Sequence, residues 1–119
     1  MNKDNKEIRK RISVILREFG IPCHLVGYKY LQDALFIGLT NPSELSNLTK
    51  GLYVDLAKKY NTKPYCVERT IKTAISTGWK NTEATVIRNV FRNTADSETP
   101  PTNSCYIATL LEEIKLDIL

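Results

Sequence analysis

The sequence has little that would support metal, disulfide or catalytic chemistry. It contains three cysteines, Cys23, Cys66 and Cys105, and one histidine, His24. An odd number of cysteines at these spacings matches no zinc or disulfide framework, so we expect reduced thiols. Cys23 and His24 are adjacent, so their side chains point in different directions, and no Asp or Asn at a recognisable spacing would orient the imidazole. We therefore expect no catalytic residues, no metal site, no cofactor and no enzyme activity.

The chain also lacks long apolar runs. No run approaches the roughly 20 apolar residues that cross a bilayer. The charged start, MNKDNKEIRKR, is followed by amphipathic sequence instead of a signal-peptide core. We expect no membrane association and a soluble, cytoplasmic protein, at the nucleoid if it binds DNA. The net charge of +4 and the pI near 9.0 favour a polyanionic partner without requiring one.

Helical periodicity is present throughout. The chain has 119 residues, 42% of them hydrophobic, which is enough for one core and too little for two domains. No stretch of useful length alternates as a strand does, and there is no internal repeat or Gly-rich phosphate loop. We predict a single all-α domain over 1–119, a compact bundle of about six helices containing a helix-turn-helix. Residues 1–7 form a polar lead that we expect to fray.

Capping and turn residues bound the predicted helices. In chain order, the first predicted elements are a helix over 7–19 ended by Gly20, a helix over 24–39 and a short helix over 43–48 capped by Ser43. Two helices within 51–79 follow, and then a helix with Thr82 as its candidate cap. A breaker-rich loop over 94–103 leads to a last helix, capped by Asn103 or Ser104.

The stretch from Gly51 to Trp79 predicts the helix-turn-helix. Apolar residues recur at helical spacing in each half of this stretch. Between the halves, Asn61 tolerates the left-handed conformation that ends a helix, and Pro64 suits the first turn of the next, so the connection is about three residues long. This length is typical of DNA-binding helix-turn-helix units. Two amphipathic helices joined by a tight turn also occur in small helical domains that bind no DNA.

If the second helix, about 64–78, enters a major groove, its N-terminal residues meet base edges. Arg69 and Lys72 can donate to guanine O6 and N7, and Glu68 can accept from cytosine N4. Three lysines, Lys50, Lys58 and Lys59, can anchor the domain to phosphates. The alternative for Lys50 is an ordinary surface lysine.

Three blocks of the chain resemble a known family. They are GIPCHLVGYKYLQDAL, LTKGLYVDLAKKYNTKPYCVERTIKTAISTGW and PPTNSCYIATLLEEIKL. In this order and spacing, over about 8–116, they resemble the C-terminal DNA-binding effector domain of stage 0 sporulation protein A, a response regulator of endospore-forming bacteria. The resemblance implies a six-helix domain that reads a short, GC-containing promoter box in double-stranded DNA. It also implies binding as tandem pairs and contact with the RNA polymerase sigma subunit.

The resemblance also implies contacts, carried over by position. It assigns base reading to Tyr65, Cys66, Glu68, Arg69 and Lys72, and backbone contacts to Lys50 and Thr62. Glu68 and Arg69 match the family's VER, whereas the family has arginine at Cys66 and at Lys72 and a small polar residue at Tyr65. One bidentate guanine contact is worth about 1–3 kcal/mol of discrimination, so we expect reduced affinity for the family's usual box.

Two hypotheses therefore remain open. The first is a sequence-specific transcriptional regulator, which the Glu68-Arg69 pair and the positive charge favour. The second is a protein-interaction module of the same fold that binds a full-length relative or a sigma subunit, which Tyr65 and Cys66 favour. Family members also carry an N-terminal receiver domain with a phosphoacceptor aspartate. The chain is thus either an excised fragment or a stand-alone relative, and its untagged, natural-looking start leads us to expect a stand-alone protein.

Overall fold

The computed structural model describes residues 2–92 and 98–118 of the chain, and within them there are six α-helices and no strand. The helices are α1 (Asn2–Glu18), α2 (Val26–Thr40), α3 (Leu52–Lys59), α4 (Pro64–Asn81), α5 (Ala84–Phe91) and α6 (Asn103–Ile118), with a 3₁₀ helix at Pro42–Leu45. The Cα radius of gyration is 13.5 Å, which is close to the value of about 13.5 Å expected for a folded domain of this length. The predicted compact all-α fold is confirmed.

The end of α1 has the predicted turn chemistry. Gly20 has a φ of 68°, a conformation that glycine adopts without strain. Its N–H donates to the Arg17 carbonyl at 3.0 Å, and the Ile21 N–H donates to the Leu16 carbonyl at 3.2 Å. These two bonds form a Schellman motif, so Gly20 ends the first helix as predicted.

Other helix starts differ from the prediction. α1 begins at Asn2, so the predicted polar lead is helical from its second residue, and its lysines and glutamate are good helix formers. α2 begins later than predicted because the chain first turns at Pro22, whose carbonyl accepts from the Leu25 N–H at 3.2 Å. The helix predicted over 43–48 is a shorter 3₁₀ turn. The Ser43 hydroxyl hydrogen-bonds the Asn41 side chain at 2.8 Å instead of capping.

Two predicted caps are wrong. The Thr82 hydroxyl donates to the Gly78 carbonyl at 2.7 Å, so Thr82 closes α4 instead of starting α5. The cap of α6 is Thr102, whose hydroxyl oxygen accepts from the Cys105 N–H at 3.2 Å. Of the loop predicted over 94–103, residues 94–97 lie outside the described residues, and residues 98–102 are irregular.

An aromatic cluster joins four helices at the C-terminal half of α4. It consists of Phe19, Trp79, Phe91 and Tyr106, each nearly or completely buried. Ring centroids are 5.0 Å apart for Trp79 and Phe91, and 5.7 Å apart for Phe91 and Tyr106. Such pairs contribute about 0.5–1.5 kcal/mol beyond their burial. Burial raises the pKa of Tyr106 above its ordinary value. The cluster fixes α4 against α1, α5 and α6.

The rest of α4 packs against α2, α3 and α6. Val67 and Ile71, two apolar residues in the first half of α4, are fully buried. α2 approaches α4 closely at Gly27, where a Cβ would lie 2.6 Å from the Ala74 Cβ and 2.7 Å from the Thr70 carbonyl oxygen. This close approach requires glycine. The fold thus holds α4 from one side and leaves the opposite side at the surface.

Candidate nucleic-acid interface

α3 and α4 are joined by residues 60–63, a connection one residue longer than predicted. Asn61 has a φ of 53°, and the Thr62 N–H donates to the Ala57 carbonyl at 2.8 Å, which ends α3 in a left-handed turn. Pro64 is the first residue of α4, where its missing N–H costs nothing. The roles predicted for Asn61 and Pro64 are confirmed, and the geometry is consistent with a helix-turn-helix.

The side chains predicted to read bases lie together on the exposed face of the first half of α4. They are Tyr65, Cys66, Glu68, Arg69 and Lys72, all of them exposed. Tyr65 is a large aromatic side chain with 59% of its surface exposed. With 3.6 residues per turn, α4 buries one side in the core and presents the other outward. We name these five residues the recognition face.

Two residues of the recognition face contact each other. Arg69 Nη1 donates to the Tyr65 hydroxyl oxygen at 2.9 Å. The guanidinium carbon of Arg69 lies 5.2 Å from the Tyr65 ring centroid. The two residues are separated by four positions, so their side chains are neighbours on one helix face. The hydrogen bond raises the pKa of Arg69 above its ordinary value. Like any arginine, Arg69 carries a positive charge at neutral pH.

Asn103 ties the start of α6 to the recognition helix, a role that the sequence did not indicate. Its side-chain amide donates to the Glu68 carbonyl at 3.1 Å and to the Tyr53 hydroxyl at 3.1 Å. Burial raises the pKa of Tyr53, and the hydrogen bond from Asn103 partly opposes that rise. We predicted Asn103 as a helix cap. Its partners lie far away in the sequence, so only the folded chain shows that it positions α4 beside α3.

An open groove of about 870 Å³ runs alongside the recognition face. Its walls are the loop before α3, the start of α6 and the Glu68, Arg69 and Lys72 side of α4. Further along α4, a shallow depression lined by Lys72, Ser76 and Lys80 continues the polar surface. Lys80 extends the positive charge along the helix, and the sequence analysis did not single it out.

Two of the predicted backbone-contacting residues lie together near the start of α4. Lys58 and Thr62 line one depression with Asn61 and Pro64. Lys58 is exposed and Thr62 is half-buried. Lys50 lies apart from them, in the loop before α3, where its backbone N–H donates to the Asn47 side chain at 3.3 Å. An exposed lysine therefore lies near each end of α3, and Thr62 lies beside Lys58.

Lys59 is placed differently from the other predicted backbone contacts. Its ammonium group lies 2.9 Å from a carboxylate oxygen of Asp33, which has only 9% of its side-chain surface exposed. The Tyr60 hydroxyl donates to the same carboxylate oxygen. Burial, and then this hydrogen bond, raise the pKa of Tyr60 to about 12. Arg9 approaches Asp33 at 3.9 Å, so this cluster ties α1, α2 and α3 together.

Sequence reasoning did not single out Asp33. The signal available was its position three residues after Tyr30, on the side of α2 that also buries Leu31 and Ala34. A buried carboxylate needs hydrogen-bond donors, and here they come from the end of α3. Lys59 therefore forms an ion pair within the fold. Among the described residues, no ion pair involves Lys58.

Other kinds of site are not evident in the part of the chain that the structure describes. Within it, no group of three or more His, Cys, Asp or Glu side chains is placed to hold a metal ion. Cys23 and Cys66 are exposed and Cys105 is half-buried, and the thiols of all three are free. Among the described residues, no helix has both the length and the apolar character needed to cross a membrane.

A short two-helix unit with one outward-facing polar surface, held in an all-α bundle, is the arrangement expected of a helix-turn-helix domain. Residues 12–114 match the family model described as "Sporulation initiation factor Spo0A C terminal", and the chain belongs to this family. The family comprises DNA-binding effector domains that regulate transcription in sporulation, and it is not a family of enzymes.

Proposed function

We propose that the protein is a sequence-specific transcriptional regulator that inserts α4 into the major groove of promoter DNA. The observation that carries this proposal is the recognition face: donors and acceptors suited to base edges lie exposed on one side of a helix whose other side is buried. In this proposal Arg69 and Lys72 donate to guanine, and Glu68 accepts from cytosine. Tyr65 and Cys66 lie beside them on the same exposed face.

Phosphate contacts flank this face in the proposal. Lys58 and Thr62 lie at the start of α4, Lys50 lies in the loop before α3, and Lys80 lies further along α4. These groups would contact phosphates on both sides of the major groove and fix the position of α4 along the duplex. We assign Lys59 to the ion pair with Asp33 instead of to a phosphate.

The resemblance to the family suggests how the protein assembles on DNA. We propose that two copies bind tandem boxes and that the DNA-bound domain contacts the RNA polymerase sigma subunit. A duplex with two boxes should bind two copies of the protein, and a duplex with one box should bind one, as measured by analytical ultracentrifugation. One bound copy on both duplexes would contradict the tandem arrangement.

Base reading is tested by replacing Arg69. The wild-type protein and the Arg69→Ala variant are each titrated against a labelled duplex that carries the family's promoter box, and against versions of this duplex with single base-pair changes. The variant should lose about 5- to 150-fold in discrimination at one guanine position, the worth of a bidentate contact. A variant with unchanged preference at every position would contradict the assignment of Arg69 to base reading.

Backbone contacts are tested by two neighbouring lysines that carry the same charge. Lys58→Ala should weaken binding to every duplex and reduce the salt slope by about 1, because one counterion fewer is released. Lys59→Ala should leave the salt slope unchanged and lower the free energy of unfolding, because it removes the ion pair with Asp33. Equal changes in salt slope for the two variants would show that Lys59 also contacts phosphate.

A further inference from the structure

We infer that Tyr65 is a specificity-determining positioning residue that holds the Arg69 guanidinium in the orientation used to read a base. The inference rests on the proposed function, and it assigns to Tyr65 an action through Arg69 instead of a separate base contact. The observation behind it is the Arg69 Nη1 to Tyr65 Oη hydrogen bond of 2.9 Å on the exposed face of α4.

The geometry places the guanidinium at the hydroxyl end of the phenol ring. The guanidinium carbon is 5.2 Å from the ring centroid, and Nη1 is within hydrogen-bond distance of the hydroxyl oxygen. The hydroxyl is therefore the group that fixes the orientation of Arg69, with a weaker cation–π contribution from the ring. Phenylalanine at this position would keep the ring and lose the fixed acceptor.

Holding Arg69 has two consequences for base reading. An exposed arginine loses side-chain entropy when it docks on a base, and an arginine already held in one orientation loses less. The guanidinium also has five N–H donors in a rigid fork, and Tyr65 uses one edge of it. The remaining donors are left for the bidentate contact with guanine O6 and N7.

The neighbouring residues give Arg69 no equivalent support. Among the described residues, Tyr65 is the one hydrogen-bond partner of this guanidinium. Cys66 on the same face is exposed and offers only a weak acceptor. The orientation of Arg69 therefore depends on one tyrosine hydroxyl that is itself at the surface and can be removed without disturbing the core.

The test is a double-mutant cycle with Tyr65→Phe, Arg69→Ala and the double variant. The probes are the duplex that wild-type protein selects from a pool with a randomised central segment, and versions of it with single base-pair substitutions. Tyr65→Phe should reduce discrimination about three- to tenfold, the worth of one hydrogen bond, and only at the base pair that Arg69→Ala also affects. In the Arg69→Ala background, Tyr65→Phe should have no further effect. Tyr65→Phe alone should leave the salt slope of wild type unchanged, because this substitution removes no charge.

The possible outcomes separate the inference from the proposed function. If wild-type protein prefers some sequences and Tyr65→Phe discriminates as well as wild type, the inference is overturned and the proposed function stands. If Tyr65→Phe lowers discrimination equally with and without Arg69, Tyr65 contacts DNA directly and the inference is likewise overturned. If wild-type protein selects no sequence, both are overturned. An unchanged urea midpoint for Tyr65→Phe verifies that each comparison uses folded protein.

Discussion

Replacing the buried Asp33 with alanine should destabilise the protein by about 1.5–3 kcal/mol. The largest part comes from the Tyr60 hydroxyl, a partly buried donor that would lose its charged acceptor, and such a bond is worth about 1.5–2 kcal/mol. The side chains of Lys59 and Arg9 are 57% and 52% exposed, so both cations regain water when the carboxylate is removed. Each of these pairs therefore adds at most about 0.5 kcal/mol.

Urea denaturation followed by the fluorescence of Trp79, the single tryptophan, measures this loss. With an m-value of about 1.5 kcal/mol/M for a domain of this size, Asp33→Ala should lower the denaturation midpoint by about 1.5 M. Asp33→Asn should lower the midpoint less, because the amide oxygen can still accept from Tyr60.

A matched control is the surface ion pair between Arg11 and Asp117. Asp117 is 47% exposed, so Asp117→Ala should cost less than about 1 kcal/mol. If Asp33→Ala and Asp117→Ala shift the midpoint equally, the reasoning that burial makes the Asp33 cluster stabilising is refuted.

Three further predictions concern single positions. Cys66→Arg should strengthen binding to the family's promoter box about tenfold and steepen the salt dependence of binding, because arginine adds a guanine donor and a charge. Equal affinities of variant and wild type in an anisotropy titration would contradict this prediction. The pKa of Tyr60 is raised from 10.0 to about 12, so its stabilising effect is complete below pH 10.0 and is lost as pH rises to about 12. Between these pH values, wild type should therefore lose more stability than Tyr60→Phe, as measured by urea titrations. An equal loss of stability in the two proteins would contradict the assignment of this pH dependence to Tyr60. Gly27→Ala should lower the free energy of unfolding by about 1–3 kcal/mol through overpacking against α4, and a midpoint equal to that of wild type would show that α2 and α4 separate easily.

The sequence predicted the parts of the fold that local chemistry determines. Gly20, Asn61 and Pro64 occupy the turn and helix-start positions that their backbone preferences indicate. The exposed side of α4 also followed from helical periodicity, because the apolar positions between Val67 and Trp79 recur at helical spacing. These features depend on residues a few positions apart.

Features that depend on distant residues were not predictable in this way. Asn103 was expected to cap a helix, and it instead bonds the Glu68 carbonyl, which is 35 positions earlier. Asp33 accepts hydrogen bonds from Lys59 and Tyr60 only when α2 and α3 are packed together. The contact between Tyr65 and Arg69 is a different case. Their spacing of four on a helix indicates this contact, although we expected each residue to contact a base separately.

Whether α4 reads DNA sequence can be measured by a fluorescence-anisotropy titration of wild-type protein. It compares a duplex carrying the family's promoter box with a scrambled duplex, at two salt concentrations. We predict tighter binding to the promoter box than to the scrambled duplex. We also predict a log–log salt slope of about −3 per domain, because three cationic side chains, Lys50, Lys58 and Lys80, neutralise phosphates. Weak, equal binding to both duplexes with little dependence on salt would contradict the proposal that α4 reads DNA sequence.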